Sequence, residues 1–239
     1  MKHVRRYRRI LLAVPLLVLI VAAAFFAVSH SSLLAISHIE VDGNQTTPTS
    51  QIMATAGPML TGRSLLSLSF DDVNRALDQL PFISEVDIER SFPHTIRLHV
   101  HEHHAVAWYR TGSQSLLLSG SGRVLKQQSV PDGSLPLLTT RDACAAGVGR
   151  QASCSDVKAG LSFLTGIPVS FDHQITEVSV ADGDINFKTA AKVNIHFGPL
   201  DDYSLKFEVI SQLIARTAKA GKTVTIDVSV PDRPVTKTN

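Results

Sequence analysis

Apolar residues run unbroken from Ile10 to Val28, nineteen positions without a charge, and no later stretch is as long and as apolar. As a helix rising about 1.5 Å per residue, this segment would span about 29 Å, close to the ~30 Å hydrocarbon core of a bilayer. It exceeds the apolar region of about 7–15 residues in a secretory signal, and AVSHSSLLA after it is a poor cleavage site. The pattern therefore predicts a retained membrane anchor over 10–28.

Beyond the anchor the periodicity alternates between strand and helix. Ile36, Ile39 and Val41 mark a short strand stopped at Asp42-Gly43, and TTPTSQIMATAG reads as a helix begun by Thr47 and Pro48 and ended by Gly57-Pro58. Phe70, Val73, Leu77 and Leu80 recur at helical spacing after Ser69, with Pro81 as the stop. FISEVDIERS and TIRLHVHE both alternate with period two around Phe92-Pro93, the pattern of a β-hairpin. From Ala105 the chain reads mostly as strands: AVAWYR, SLLLSGSGRVLKQQ turning at Ser119–Gly122, SLPLLTT, ITEVSVADGDINFKT and KVNIHFG. A short helix is predicted over VKAGLSFLTG and a longer one over DYSLKFEVISQLIARTAKAG, with Leu205, Val209, Leu213 and Ile214 on one face and Gly221 as its cap. TVTIDVSVP, from Thr223, is a strongly alternating last strand, and a tail follows.

Charge sharpens the topology. Five of the 23 Lys and Arg (Lys2, Arg5, Arg6, Arg8, Arg9) precede the apolar run, leaving 18 against 21 acids after it, so the net +2 is a +5 tail and a −3 remainder. Positive charge ahead of the span predicts a cytoplasmic N-terminus and an exported C-terminus. The basic balance reports topology, and nucleic-acid binding is excluded as its explanation. On the exported side stand the two cysteines, Cys144 and Cys154, with nine residues between them. An even count at short separation outside the cytoplasm favours a disulfide over two buried thiols, and closing that loop would contribute on the order of 2–3 kcal/mol.

The order β-α-α-β-β directly after an anchor resembles the POTRA domain, and more closely the version in the FtsQ/DivIB family of bacterial cell-division proteins. "ISHIEVDGN", "LPFISEVDIERSFPHTIRLHVHEH" and "AVAWY" carry the resemblance, with Glu89-Arg90, Pro93, Thr95, Leu98, Val100, Glu102 and Val106-Ala107 in the family's pattern. Histidines stand where basic residues are usual, and Ala105 replaces a proline. Downstream, "LLLSGSGRVL…SLPLL", "FGPLDDYSLKFEVISQLI" and "TIDVSVPDRPV" resemble the family's β-domain. The resemblance implies an α+β chain: cytoplasmic tail 1–9, transmembrane helix 10–28, POTRA domain 34–104, mostly antiparallel β-domain with a long helix 105–232, and C-terminal tail 233–239. It implies a non-enzymatic single-pass division scaffold that needs no cofactor. Such a scaffold would recruit small partners of the FtsB/DivIC and FtsL kinds and regulate septal peptidoglycan synthesis through them. Its docking surface would lie at the C-terminal sheet edge: Thr225, Asp227, Ser229, Arg233, Pro234, Val235 and Thr236, with Tyr203 and Lys206 as weaker candidates. Pro234 weighs against it, since proline cannot donate to a ladder, though it is tolerated at an edge.

One segment points elsewhere. RLHVHEHH places Arg97, His99, His101 and His103 on one strand face, and His-x-His on a strand is real metal-ligand geometry. The alternative reading is therefore an anchored metal-dependent hydrolase on the His99/His101/His103 face. Glu102 would point the other way, and neither HExxH nor CxxC occurs elsewhere. Solvent-facing polarity explains the stripe as well, and several adjacent His would gain charge between about pH 7 and 5. SGSG at Ser119 lacks the lysine of a phosphate loop, and Asp71-Asp72 and Asp201-Asp202 sit at helix starts, where the helix dipole favours acids.

Overall fold

The computed structural model describes residues 17–20, 34–66, 68–171, 173–217 and 224–238. Of the basic tail and the predicted span 10–28, only Leu17–Ile20 are described, as helix, so the expected transmembrane helix lies outside the described residues. Among the described residues no helix is long and apolar enough to cross a membrane. The chain divides into two compact units between Glu102 and His103.

In the first unit β1 (His38–Asp42) leads to α1 (Thr49–Leu60), α2 (Asp71–Leu77) and the hairpin of β2 (Ile83–Ser91) and β3 (Thr95–Glu102). The sheet order is β1-β3-β2, with β1 parallel to β3 because two helices carry the chain across before β2 and β3 pair antiparallel. Ile96, Leu98 and Val100 of β3 pack with Ile52, Ala56 and Leu60 of α1 and Val73 and Leu77 of α2, all essentially inaccessible to solvent. This spacing corrects one expectation. The helix does not stop at Gly57-Pro58 but runs through them to Leu60, because Leu60 completes the i, i+4 row Ile52-Ala56-Leu60 buried in the core. Asp42-Gly43 does end β1: Gly43 has φ +81°, and a Cβ there would lie 2.3 Å from the Val100 carbonyl oxygen.

The second unit is one nine-stranded sheet in the order β12-β11-β10-β9-β8-β7-β4-β5-β6. Its strands are β4 (Ala105–Thr111), β5 (Gln114–Ser119), β6 (Val124–Gln128), β7 (Leu137–Thr140), β8 (Ile175–Ala181), β9 (Asp184–Thr189), β10 (Val193–Gly198), β11 (Val224–Asp227) and β12 (Val235–Thr238). The sheet is more mixed than the expected mostly antiparallel domain: β4–β7, β7–β8 and β10–β11 are parallel. Two of these junctions are helical crossovers, α3 (Ser155–Gly166) between β7 and β8 and α4 (Tyr203–Thr217) between β10 and β11. A parallel neighbour requires such a crossover. Gly160 lets α3 lie close on β7, since a Cβ there would sit 2.4 Å from Leu138 Cδ1. The aromatic centre joins Phe163 of α3, Phe187 and Phe197 of the sheet, and Tyr203 and Phe207 of α4, with ring centroids 5.0–6.3 Å apart.

The buried face of α4 differs from the predicted one. Lys206, Phe207, Ile210 and Ile214 are buried, Val209 and Leu213 half-buried, and Leu205 is 44% exposed. The face turns because Lys206, read as polar, goes inward. Its ammonium donates to the Pro199 carbonyl (2.9 Å) and to Asp201 Oδ1 (2.5 Å) and lies over the Phe197 ring. The predicted cap Gly221 lies outside the described residues.

Cys144 and Cys154 form a disulfide. The loop it closes lays a strip of backbone along β6: Val124 N–H donates to Arg150 O, Gly149 N–H to Val124 O, and Ala152 N–H to Gly122 O, at 2.8–2.9 Å. The same loop is anchored by Cys144 N–H, which donates to the buried Tyr109 hydroxyl (2.8 Å). Replacing both cysteines by serine is expected to cost about 2–3 kcal/mol by chain entropy and to raise amide exchange at Gly149 and Ala152. Unchanged urea midpoint and unchanged exchange at those amides would show that packing alone holds the strip.

Candidate partner-docking edge

The helices cover one face of the second sheet, and the strands alternate accordingly. Ile185, Phe187, Val193, Ile195, Val224 and Ile226 face the core. Glu177, Ser179, Asn186, Lys188, Asn194, His196 and Thr225 line a shallow hollow of about 210 Å³ on the other side. His196 Nδ1 lies 2.8 Å from Asn186 Oδ1 and 3.6 Å from Asp184 Oδ2.

Three of the residues expected at the docking surface lie on or just after β11. Thr225 and Asp227 are on the open face, half-buried. Asp227 Oδ1 accepts hydrogen bonds from the Ser229 N–H (3.0 Å) and hydroxyl (2.7 Å), which folds the chain out of the strand. Burial pushes the Asp227 carboxyl up, but the two Ser229 bonds, with the charges of His196 and Lys237, hold it below the ordinary range. Val228 N–H donates to His196 O, and the chain turns back at Arg233, whose N–H donates to Val230 O (3.0 Å).

The segment read as a tail from Arg233 then forms β12. Asp227 pairs with Val235, Ile226 with Thr236 and Thr225 with Lys237, antiparallel, so the structure brings the sequence candidates on both sides of the turn into register. Pro234 precedes the strand and removes no ladder donor from it. Lys237 was missed: the proline and the shortness of VTKT concealed the strand, and its β-branched alternation was the available signal. Lys206 is not a surface contact, and Tyr203 is half-buried with its hydroxyl engaged inside the unit. The Tyr203 hydroxyl donates to Phe163 O (2.5 Å), with its phenol pKa raised by burial, and Lys206 is fully buried.

β12 is the outermost strand, and among the described residues none pairs with its free side. Val235, exposed to 50%, and Val230, to 57%, place apolar surface beside its unpaired backbone groups. The other end of the sheet differs, since the disulfide loop occupies the start of the β6 edge. An open edge of this kind can accept an added strand.

The histidine stripe resolves into separate pairs. On the open face of the first sheet Arg97 bonds Glu40 (2.9 Å), His99 Nδ1 bonds Asp42, and His101 Nε2 lies 3.1 Å from Asp87. Each basic group takes a carboxylate from a flanking strand, and all are exposed, so solvent screens the pairs and they add little to stability. His103 is not on this face. β3 ends at Glu102, whose carboxylate turns back to the Thr46 and Thr47 amides, and His103 lies beyond the strand. Burial, then the charge of Arg123, holds the His103 pKa below its usual value. Among the described residues no three metal-binding side chains converge.

A strand, two helices and a hairpin, with the first strand parallel to the last, define the first unit as a POTRA domain, followed by a sheet with one open edge. Residues 34–103 match the family model "POTRA domain, FtsQ-type". The first unit thus carries a POTRA domain of the FtsQ type, and the chain is similar to cell-division proteins named FtsQ and DivIB. It is 31% identical over 124 residues to Cell division protein FtsQ of Agrobacterium fabrum, covering 51% of this chain and 38% of that one. It is 32% identical over 100 residues to Cell division protein DivIB of Geobacillus kaustophilus, covering 41% and 38%. With Cell division protein FtsQ of Streptomyces griseus it shares 27% over 207 residues, 85% of this chain and 97% of that one. The chain thus spans well under half the length of the first two of these relatives.

Proposed function

We propose that this protein is a non-enzymatic cell-division scaffold, anchored by 10–28 with its two units outside the cytoplasm. It captures a small single-pass partner of the FtsB/DivIC kind, itself joined to an FtsL-like protein, and through them regulates the septal peptidoglycan synthase complex. The observation that carries this reading is β12. An exposed edge strand, flanked by Val230 and Val235 and backed by a fully paired sheet, offers main-chain hydrogen bonds to an extended segment. The names of the relatives support the division role.

Thr236→Pro and Lys237→Pro test it with the full chain. Neighbouring residues on an edge strand direct their N–H groups to opposite sides, so one proline breaks the bond to β11 and the other removes a donor only from the free side. The variant that leaves amide protection of β11 intact is expected to capture the FtsB-like partner at least about tenfold more weakly, ~1.4 kcal/mol. Full capture by both variants would show that the partner binds elsewhere.

A further inference from the structure

One end of the first unit gathers the loops that hold its chain entry. Leu65 N–H donates to Leu34 O, Ile36 N–H to Arg63 O, and Ser37 and His38 N–H to His94 O. Arg90, at the end of β2, donates to the Leu65 and Leu68 carbonyls. Leu34, the 63–66 loop and the β2–β3 hairpin tip therefore share one end. Two large apolar side chains are exposed there, Phe92 at 58% and Leu66 at 39%, in a unit that otherwise buries its apolar residues well. The segments 34–39, 61–70 and 91–96 contain no acid and carry Arg63, His38 and His94. The acids that flank these segments are Glu40 and Glu89, both in register with Arg97, and Asp71 and Asp72, which begin α2; Glu40 bonds Arg97 and Asp72 bonds Arg75. The far end is acidic, with Asp42, Glu85 and Glu102.

Five residues separate Val28 from Leu34, a reach of at most about 20 Å. Leu34 sits at this end, so the linker holds this end of the unit within about 20 Å of the predicted span. We propose that the Phe92–Leu66 end is a membrane-surface contact: Phe92 and Leu66 enter the headgroup layer, and Arg63 faces anionic lipid phosphates. The proposal rests on the reading that 10–28 crosses the bilayer. An apolar tip with basic neighbours and no acid suits an interface whose apolar boundary lies about 5–10 Å below the headgroups.

The test uses the full chain in vesicles of phosphatidylethanolamine and phosphatidylglycerol that contain headgroup spin-labelled lipid. A fluorophore is attached under non-reducing conditions at Phe92→Cys or, as the control, at Glu85→Cys, seven residues or about 23 Å along the strand. Strong quenching at 92, weak quenching at 85, and reduced quenching at 92 with Arg63→Gln or with phosphatidylcholine in place of phosphatidylglycerol are expected. Equal quenching at the two positions, or none at 92, in chains that float with the vesicles overturns the proposal. Failure to float overturns the anchored reading instead. Shielding of position 92 from an aqueous quencher in native membranes, without quenching by labelled lipid, assigns the patch to a protein partner and overturns the lipid contact.

Discussion

Asp201→Ala is expected to destabilise the second unit by about 3 kcal/mol, more than Lys206→Met does. The Lys206 side chain is fully inaccessible, and its ammonium has two partners, the Pro199 carbonyl and Asp201. Removing one partner of a buried ion pair leaves a charge that the interior cannot solvate, at roughly 3–5 kcal/mol. The low end applies because Asp201 is 62% exposed and water reaches that side of the pair. Lys206→Met removes the charge while keeping a flexible apolar stem over the Phe197 ring, so its cost should stay near 1 kcal/mol. Urea unfolding of the full chain, followed by fluorescence of the buried Trp108, measures both. A larger loss for Lys206→Met would mean that the ammonium contributes net stability and that Asp201 adds little.

The second large effect lies at Glu102. Its two carboxylate oxygens accept hydrogen bonds from the Thr46 and Thr47 amides, both at 2.7 Å, closing the end of β3 onto the turn that starts α1. Hydrogen bonds to charged groups contribute about 1.5–3 kcal/mol each, less where an amide is exposed as at Thr46, so Glu102→Ala should cost about 2–3 kcal/mol. Burial pushes the Glu102 carboxyl up, but the Thr46 and Thr47 amides outweigh it and hold the pKa below the ordinary value of 4.5. A carboxyl depressed in the folded state contributes stability above its unfolded pKa, and that contribution is lost as pH falls through the folded one. The wild-type chain should therefore lose the Glu102 contribution only below about pH 4.5, while Glu102→Gln loses part of it at all pH. Amide exchange at Thr46 and Thr47 reads this directly. Equal exchange at those amides at pH 7 in the wild-type and Glu102→Ala chains would remove the carboxylate from its role.

The pattern of Leu98, Val100 and Glu102 was legible in the chain, and so was the hairpin around Phe92-Pro93. Alternation is a local property, and β2 and β3 are joined by a tight turn. The course of α1 through Pro58 was not, because the decision belongs to Leu60 and the core it enters rather than to the proline. His103 was placed on the stripe by period two, which cannot say where a strand ends. The Glu102 carboxylate, turned onto residues more than fifty positions earlier, accompanies that end.

The same division holds at the candidate site. Order of elements, charge asymmetry around 10–28 and the pairing-competent cysteines depend on near neighbours and on composition, and the sequence alone determined them as expectations. That VTKT becomes β12, that Lys206 goes inward, and that β6 is overlaid while β12 stays open depended on tertiary structure. Each needs a partner distant in sequence: β11 for the strand, Pro199 and Phe197 with Asp201 for the lysine, and the loop from Cys144 to Cys154 for the covered edge. An edge strand is defined by which neighbour is missing, and no local pattern of residues encodes that.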